Sequence, residues 1–370
     1  MRMNTRLVQR LRPYLEPPAC RVPGAAVSFA YQEGPGKDIQ AGVMTAVGDG
    51  TDGAIHTDSR FSVQSISKSF TAAAILRLVA SGKLELDGLL AQWLPDAPHA
   101  SRITIRQCLQ HTSGLPEYGL VPAYHEAVQR GETPWTYAEF LERTHADRLL
   151  FEPGQGWQYS NIGYMILHRL LETLCTTSFA EILATEVCQP LGLRHTSVIR
   201  NQLEFQELAP AYSFSVSSNG LPVDVRTRYD PGWVATGVVA STASNIVRFY
   251  ERLFAGVLVP PALLDEMRTV VRATTPSTQR FVSPSYGLGL IADLESPYGV
   301  LYGHSGGGPG YTSAALHVIP PRGEPVTVAV LSNTENFYEV EIMAFTLVDT
   351  LVGEISGALP RRSWRSFMLR

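Results

Sequence analysis

The order of local patterns along this chain constrains its fold more than any single motif. Strand-like segments lie near both ends, and a helical stretch lies between them. Val27–Gln32 and Gln40–Val47 read as two strands joined by the turn Glu33-Gly34-Pro35-Gly36. From Tyr286 onward strand patterns return, at Gly287–Asp293, Val300–His304, Tyr311–Ile319 and Val326–Ser332. Helical patches broken by Pro and Gly fill the interval. Among them are Thr104–Leu109, Tyr137–His145 and Ile162–Leu174, where Ile162, Ile166, Leu170 and Leu174 recur every four residues. Thr5–Glu16 reads as a surface helix, Ser244–Phe254 reads as a helix, and a last helix runs from about Asn336 to Val352. This order predicts one sheet built from the two termini with a helical lobe inserted. Residues 1–83 and 230–355 form the α/β lobe and 84–229 the mainly helical lobe. A cleft between two lobes is the expected place for an active site.

One stretch in the first lobe points to chemistry. Residues 61–70 read FSVQSISKSF and lead into Ser69–Gly82, where apolar residues recur at helical spacing and Gly82 is a stop signal. Ser65 and Lys68 then share one face at the head of that helix, a hydroxyl within reach of an amine. Alone, such a pair is also what a capping serine and a surface lysine give. Two observations favour chemistry. Of 30 basic residues only Lys37, Lys68 and Lys83 are lysines, and a lysine can give up a proton where an arginine cannot. The first turn also sets the ammonium against the positive end of the helix dipole, which lowers its pKa. A partly deprotonated lysine beside a serine is a base beside a nucleophile.

Two further stretches carry similar weight. In GQGWQYSNIGY, residues 154–164, Tyr159 and Asn161 face one way only if the backbone is extended. A loop in which Ser160 or Asn161 caps the helix from Ile162 meets that need. Tyr159 can pass a proton between a serine oxygen and a leaving group, or simply pack beside the cap. In YGHSGGGPGYTS, residues 302–313, three consecutive glycines after a strand allow close approach to the backbone. An edge strand there offers N–H and C=O groups to an extended substrate, and one N–H can bind an oxyanion. The same segment also reads as a hairpin turn.

Together the three stretches resemble the serine β-lactamase and D,D-peptidase superfamily. The branch is the one holding class C β-lactamases, D-Ala-D-Ala carboxypeptidases, D-aminopeptidases and related esterases. Its SxxK, YxN and K/H-T/S-G motifs match Ser65–Lys68, Tyr159–Asn161 and His304–Gly306. Leu109–Pro116 (LQHTSGLP), Phe151–Gly154 (FEPG), Pro190–Thr196 (PLGLRHT) and Gly237–Thr242 (GVVAST) fit as well, and the likeness covers roughly residues 23–352. The resemblance implies an α+β sandwich, an antiparallel sheet flanked by helices. It implies Ser65 as nucleophile, Lys68 as its activator, and Tyr159 as general base and acid with Lys68. Asn161, His304, Ser305 and Gly306 would bind substrate, and the N–H groups of Ser65 and Gly307 would form the oxyanion hole. Ser67 and Ser69 would be bystanders. No cofactor and no metal is implied. His304 stands where class C β-lactamases have lysine, and a neutral histidine holds the β-lactam carboxylate less well.

The reading is therefore a hydrolase of small esters or amides, D-amino-acid peptides among them. An acyltransferase passing the acyl group to an alcohol or amine is the first alternative, and a catalytically silent scaffold or binding protein the second. A net charge of −4 argues against nucleic acid as partner. The N-terminal stretch has no apolar run for a signal peptide or a membrane span, so a cytoplasmic protein is expected. Cys20, Cys108, Cys175 and Cys188 are scattered and read as reduced thiols. Residues 356–370, with Arg361, Arg362, Arg365 and Arg370, read as a frayed basic end. The oligomeric state is not legible.

Overall fold

The strand patterns from the two ends join in one sheet in a computed structural model that describes residues 5–15, 26–45, 55–217, 220–273, 281–335 and 337–356. Helix α1 (Thr5–Leu11) precedes strands β1 (Ala26–Glu33) and β2 (Gln40–Thr45). Helices α2 (Ser67–Ala80), α3 (Ile105–Gln110), α4 (Asn161–Cys175) and α5 (Ala243–Phe254) come next, with further elements between them. The chain returns to the sheet through β3 (Val271–Arg272), β4 (Pro284–Tyr286) and β5 (Ile291–Asp293). Strands β6 (Val300–Gly308), β7 (Tyr311–Ile319) and β8 (Val326–Ser332) complete it, and α6 (Phe337–Ser356) follows. The strand order is β2-β1-β8-β7-β6-β5-β4-β3, antiparallel throughout. Val27 stands opposite Ser332 and Glu33 opposite Val326, so the first and last strands meet inside the sheet.

Burial on both faces explains the composition of these strands. All of β8 (VTVAVLS) is buried. Val326, Val328 and Val330 join a cluster with Leu7, Leu11 and Leu347 on the α1 and α6 side. Ala329 and Leu331 belong to the larger cluster on the other side, with Phe70, Ala74 and Phe249. A strand covered on both faces reads as a continuous apolar, β-branched run, and each such side chain contributes roughly 1.5–3 kcal/mol by leaving water. Helix α1 departs from the surface helix expected, because Leu7 and Leu11 are buried and Arg10 hydrogen-bonds Asp349 and Thr350 of α6.

Helix ends follow the chemistry of their first residues. Thr104 and Gln107 form a capping box on α3, Ser160 accepts the Gly163 N–H at the head of α4, and Thr242 accepts the Asn245 N–H on α5. Ser160, of the two candidates, is the cap.

Two expectations are corrected. The single strand over Gly287–Asp293 is a hairpin instead: β4 and β5 pair, and residues 287–290 turn between them with Gly287 N–H donating to Leu290 O at 2.8 Å. Gly289 has φ +69°, and a Cβ there would lie 2.7 Å from Lys68 O, so the turn needs glycine to sit on α2. Residues 61–62, 197–199 and 238–241 form a small separate sheet in which 197–199, from the stretch read as mainly helical, pairs with 238–241. Runs of two to four residues are too short to show a period. Among the described residues no helix is long and apolar enough to cross a membrane. The basic C-terminal residues and Cys20 lie outside the described residues, while Cys108, Cys175 and Cys188 are free thiols.

Candidate active site

Ser65 sits in a single 3-10 turn, Gln64–Ile66, that runs directly into α2. The turn is pinned from three sides. Val63 N–H donates to Val239 O at 2.9 Å, and Ser313 Oγ of β7 donates to Val63 O at 2.7 Å. Gln64 takes φ +52°, a left-handed conformation that costs a non-glycine residue on the order of 1–3 kcal/mol and persists only where the surroundings enforce it. Strand β6 supplies the third side. A Cβ at Gly306 would lie 2.6 Å from Ser65 N and 2.7 Å from Gln64 Cβ, and one at Gly308 would lie 2.6 Å from Gln64 Oε1. The glycines of this motif thus admit the turn that carries Ser65. Gly306→Ala is expected to force the strand from the turn and to destabilise the protein by about 1–3 kcal/mol, the usual cost of overpacking. Urea unfolding checks this: the midpoint falls and the slope stays unchanged.

Three of the sequence-predicted residues converge on one oxygen. Ser65 Oγ accepts hydrogen bonds from Lys68 Nζ at 3.3 Å and from Tyr159 Oη at 2.9 Å. Lys68 is almost fully buried, its Nζ 4.9 Å from the ring centre of Tyr159 and 5.3 Å from that of Tyr164. Burial lowers the Lys68 pKa to about 7, with the Glu117 carboxylate opposing the shift. The cause is desolvation, where the sequence argument had invoked the helix dipole. Tyr159 moves the other way. Burial raises its pKa, against the hydrogen bond to Ser65, so the phenol keeps its proton at neutral pH. Ser69 lies apart from this group, its Oγ donating to Gly289 O at 2.6 Å, and Ser67 is buried at the start of α2.

Asn161 opens α4, two residues after Tyr159. Its Nδ2 donates to Glu117 Oε1 at 2.7 Å, and its backbone N–H donates to Glu117 Oε2. Gly119 N–H gives Glu117 Oε1 a third donor at 2.8 Å. Burial raises the Glu117 pKa and the hydrogen bonds from Asn161 and Gly119 oppose that. The sequence reading passed over Glu117. Its only signal was an acidic residue immediately after LQHTSGLP, and an acid in a loop carries no period.

His111, also passed over, orders the same loop. Its Nδ1 accepts the Ser160 N–H at 3.1 Å, and its carbonyl accepts from Gln158 N–H at 3.0 Å. The ring lies among Tyr159, Tyr286 and Tyr164, with centroids 4.3, 4.6 and 5.2 Å away. Burial, with Lys68 nearby, holds it well below the ordinary histidine pKa. The HTSG and FEPG segments are laced together, Gly154 N–H to Thr112 O and Leu150 N–H to Gly114 O, each at 2.8 Å. The PLGLRHT and GVVAST segments meet farther away, where Thr196 Oγ1 bonds Ser241 Oγ at 2.8 Å.

His304 is buried, and both ring nitrogens are engaged. Nδ1 donates to Ser305 O at 2.6 Å, and Nε2 accepts from Tyr286 Oη at 2.8 Å. This pairing fixes the neutral tautomer. Burial first, then Lys68, lowers the His304 pKa to about 3. Ser305 alternates to the opposite face of β6, where it borders Ala314, Leu316 and Phe345 beside α6. Gly307 is exposed and pairs with Thr312. Strand β5 pairs only with residues 301–303 of β6, so among the described residues no strand covers His304–Gly308 on that side. Those five residues present an open edge beside Ser65. Among the described residues no group of three or more His, Cys, Asp or Glu could hold a metal ion.

This geometry can do general-base chemistry on a serine hydroxyl, and it has counterparts in known proteins. The family model described as Beta-lactamase matches residues 7–351. Penicillin-binding protein 4* of Bacillus subtilis (strain 168) is 29% identical over 309 residues, 78% of this chain, and the chain spans 63% of that relative's length. Esterase EstB of Burkholderia gladioli is 28% identical over 299 residues, covering 67% of this chain and 74% of the esterase. Among solved structures, a D-stereospecific amidohydrolase from Streptomyces sp. superposes with a TM-score of 0.74 at 27% identity, covering 95% of this chain and 99% of its own.

Proposed function

Because the chain belongs to the Beta-lactamase family, we propose that it is a serine hydrolase that cleaves small neutral esters or amides through an acyl-enzyme on Ser65. The observation that carries the reading is the pair of contacts on Ser65 Oγ, with an amine of pKa about 7 on one side and a protonated phenol on the other. Neutral Lys68 takes the Ser65 proton as Oγ attacks the carbonyl carbon. The oxyanion that forms is met by the N–H groups of Ser65 and Gly307. Lys68, through Tyr159, returns the proton to the leaving oxygen or nitrogen as its bond to carbon breaks. Water then repeats the sequence on the acyl-serine and releases the acid. Asn161 and the open edge of His304–Gly308 hold the substrate's amide and backbone-like groups.

Substrate choice rests on charge. Among the described residues Lys68 is the one cation at Ser65, and it is committed to the base role. His304 is neutral, with no ring nitrogen left for a ligand. A substrate carboxylate beside the acyl carbon therefore gains no fixed positive partner here. The names of two relatives, an esterase and a D-stereospecific amidohydrolase, support esters and D-amino-acid amides as the two classes to try first. Steady-state assays check the reading. kcat/KM for p-nitrophenyl butyrate is expected to exceed that for nitrocefin by roughly tenfold or more, since a charge-assisted hydrogen bond contributes about 1.5–3 kcal/mol and tenfold is about 1.4 kcal/mol. Nitrocefin turnover near the diffusion ceiling would make the protein a β-lactamase instead. Mass spectrometry of the protein quenched during ester turnover should find the acyl group on Ser65.

A further inference from the structure

We propose that Glu117 is a positioning residue that fixes the Asn161 amide in one orientation at the head of α4, Nδ2 turned toward Glu117 and Oδ1 left for a substrate N–H. The inference deepens the hydrolase reading and rests on it. An asparagine amide is nearly symmetric in shape, and which end faces a ligand is decided by its partners. Here Nδ2 donates to Glu117 Oε1, and Asn161 Oδ1 makes no hydrogen bond to the described protein. The backbone N–H of the same residue donates to the other carboxylate oxygen, so Glu117 grips Asn161 at two points. Gly119 N–H completes a set of three donors on one buried carboxylate.

Only a group that accepts on both oxygens can satisfy that set. With glutamine, one position carries an NH2, which then faces either the Asn161 N–H or the Gly119 N–H, donor against donor. The side chain or the loop must turn, and the Asn161 amide loses its fixed orientation.

Glu117 also bears on the base. Among the described residues it is the one carboxylate acting on Lys68, and it favours the charged amine. The other titratable groups acting on or contacting Lys68 are His111 and His304, His168 of α4, and the rings of Tyr159 and Tyr164. Burial keeps all three histidines and both phenols uncharged at neutral pH. Tyr118, Tyr124 and Tyr159 face Glu117 and are likewise held neutral by burial. Among the described residues no other charge compensates for the loss of this one. Removing it disfavours the Lys68 ammonium, so the pH at which the base becomes neutral falls.

The test compares wild type, Glu117→Gln and Glu117→Asp on two substrates. One is a D-amino-acid p-nitroanilide N-acylated so that it offers an amide N–H on the acyl side; the other is p-nitrophenyl butyrate, which offers none. Glu117→Gln is expected to lower kcat/KM for the anilide at least tenfold more than for the ester. It should also move the acid limb of the ester kcat/KM profile to lower pH. Glu117→Asp, which keeps two acceptor oxygens and the charge, should restore part of the substrate ratio and leave the acid limb near its wild-type position. An unchanged ratio together with an unmoved limb in a folded Glu117→Gln protein overturns the proposal. If wild type fails to acylate on Ser65 at all, the hydrolase reading falls, and the intact mass distinguishes that outcome from the first.

Discussion

Ser65→Ala is expected to leave the protein folded and to abolish its covalent labelling by a fluorophosphonate. The oxygen at that position is the meeting point of Lys68 Nζ and Tyr159 Oη. Removing it takes away one half-buried acceptor and no apolar packing, so the unfolding midpoint should move little. Ester turnover should fall to the level of the oxyanion donors and binding alone, several powers of ten below wild type. Peptide mapping of labelled wild type should place the adduct on Ser65. Persistent labelling at Ser67 or Ser69 in the variant would sink the assignment, although Ser69 Oγ is occupied with Gly289 O.

Lys68→Arg is expected to be nearly as damaging as Lys68→Ala, with a loss on the order of 10² to 10⁴ in rate. An arginine keeps the positive charge and cannot surrender it. The sign of the pH dependence follows from the same residue. Activity needs the neutral amine, and burial has brought the Lys68 pKa down to about 7. Wild-type kcat/KM should therefore rise as pH increases through about 7 and level off above it. The phenol of Tyr159 cannot substitute as the starting base, because its own pKa has been pushed up. A Lys68→Arg protein with most of its activity, and the same acid limb, would make Lys68 an electrostatic anchor and require another base.

The parts legible in the sequence were those encoded by spacing. A separation of three positions between Ser65 and Lys68 at a helix head sets their distance whatever surrounds them, and the short apolar, β-branched run VTVAVLS is enough to define a strand. The parts not legible depend on what lies across space. Glu117 matters because Asn161, 44 residues further along at the head of α4, points two N–H groups at it, beside the local one from Gly119. The neutrality of His304 follows from its ordinary pKa, yet its engagement with Tyr286 depends on the β4–β5 hairpin, where the sequence pattern shows only one strand over Gly287–Asp293. Lys68 makes the same point about causes: its lowered pKa was expected from local geometry and arises from burial by the whole fold. The three glycines after Ser305 signalled a close approach, but only the fold identifies Gln64 and Ser65 as what approaches.

Synthesis of the chain from its N-terminus imposes an order on the site. Ser65, Lys68 and Tyr159 leave the ribosome long before β6, the strand that braces the Ser65 turn. Strand β1 must wait longer still, since Ala26 N–H finds Asn333 Oδ1 307 residues downstream, at 2.7 Å. Such non-local pairing gives a high contact order and slow closure, with the β1 edge of the β1–β2 hairpin lacking its β8 partner in the nascent chain. The turn that carries Ser65 therefore gains its β6 brace only when most of the chain has been made.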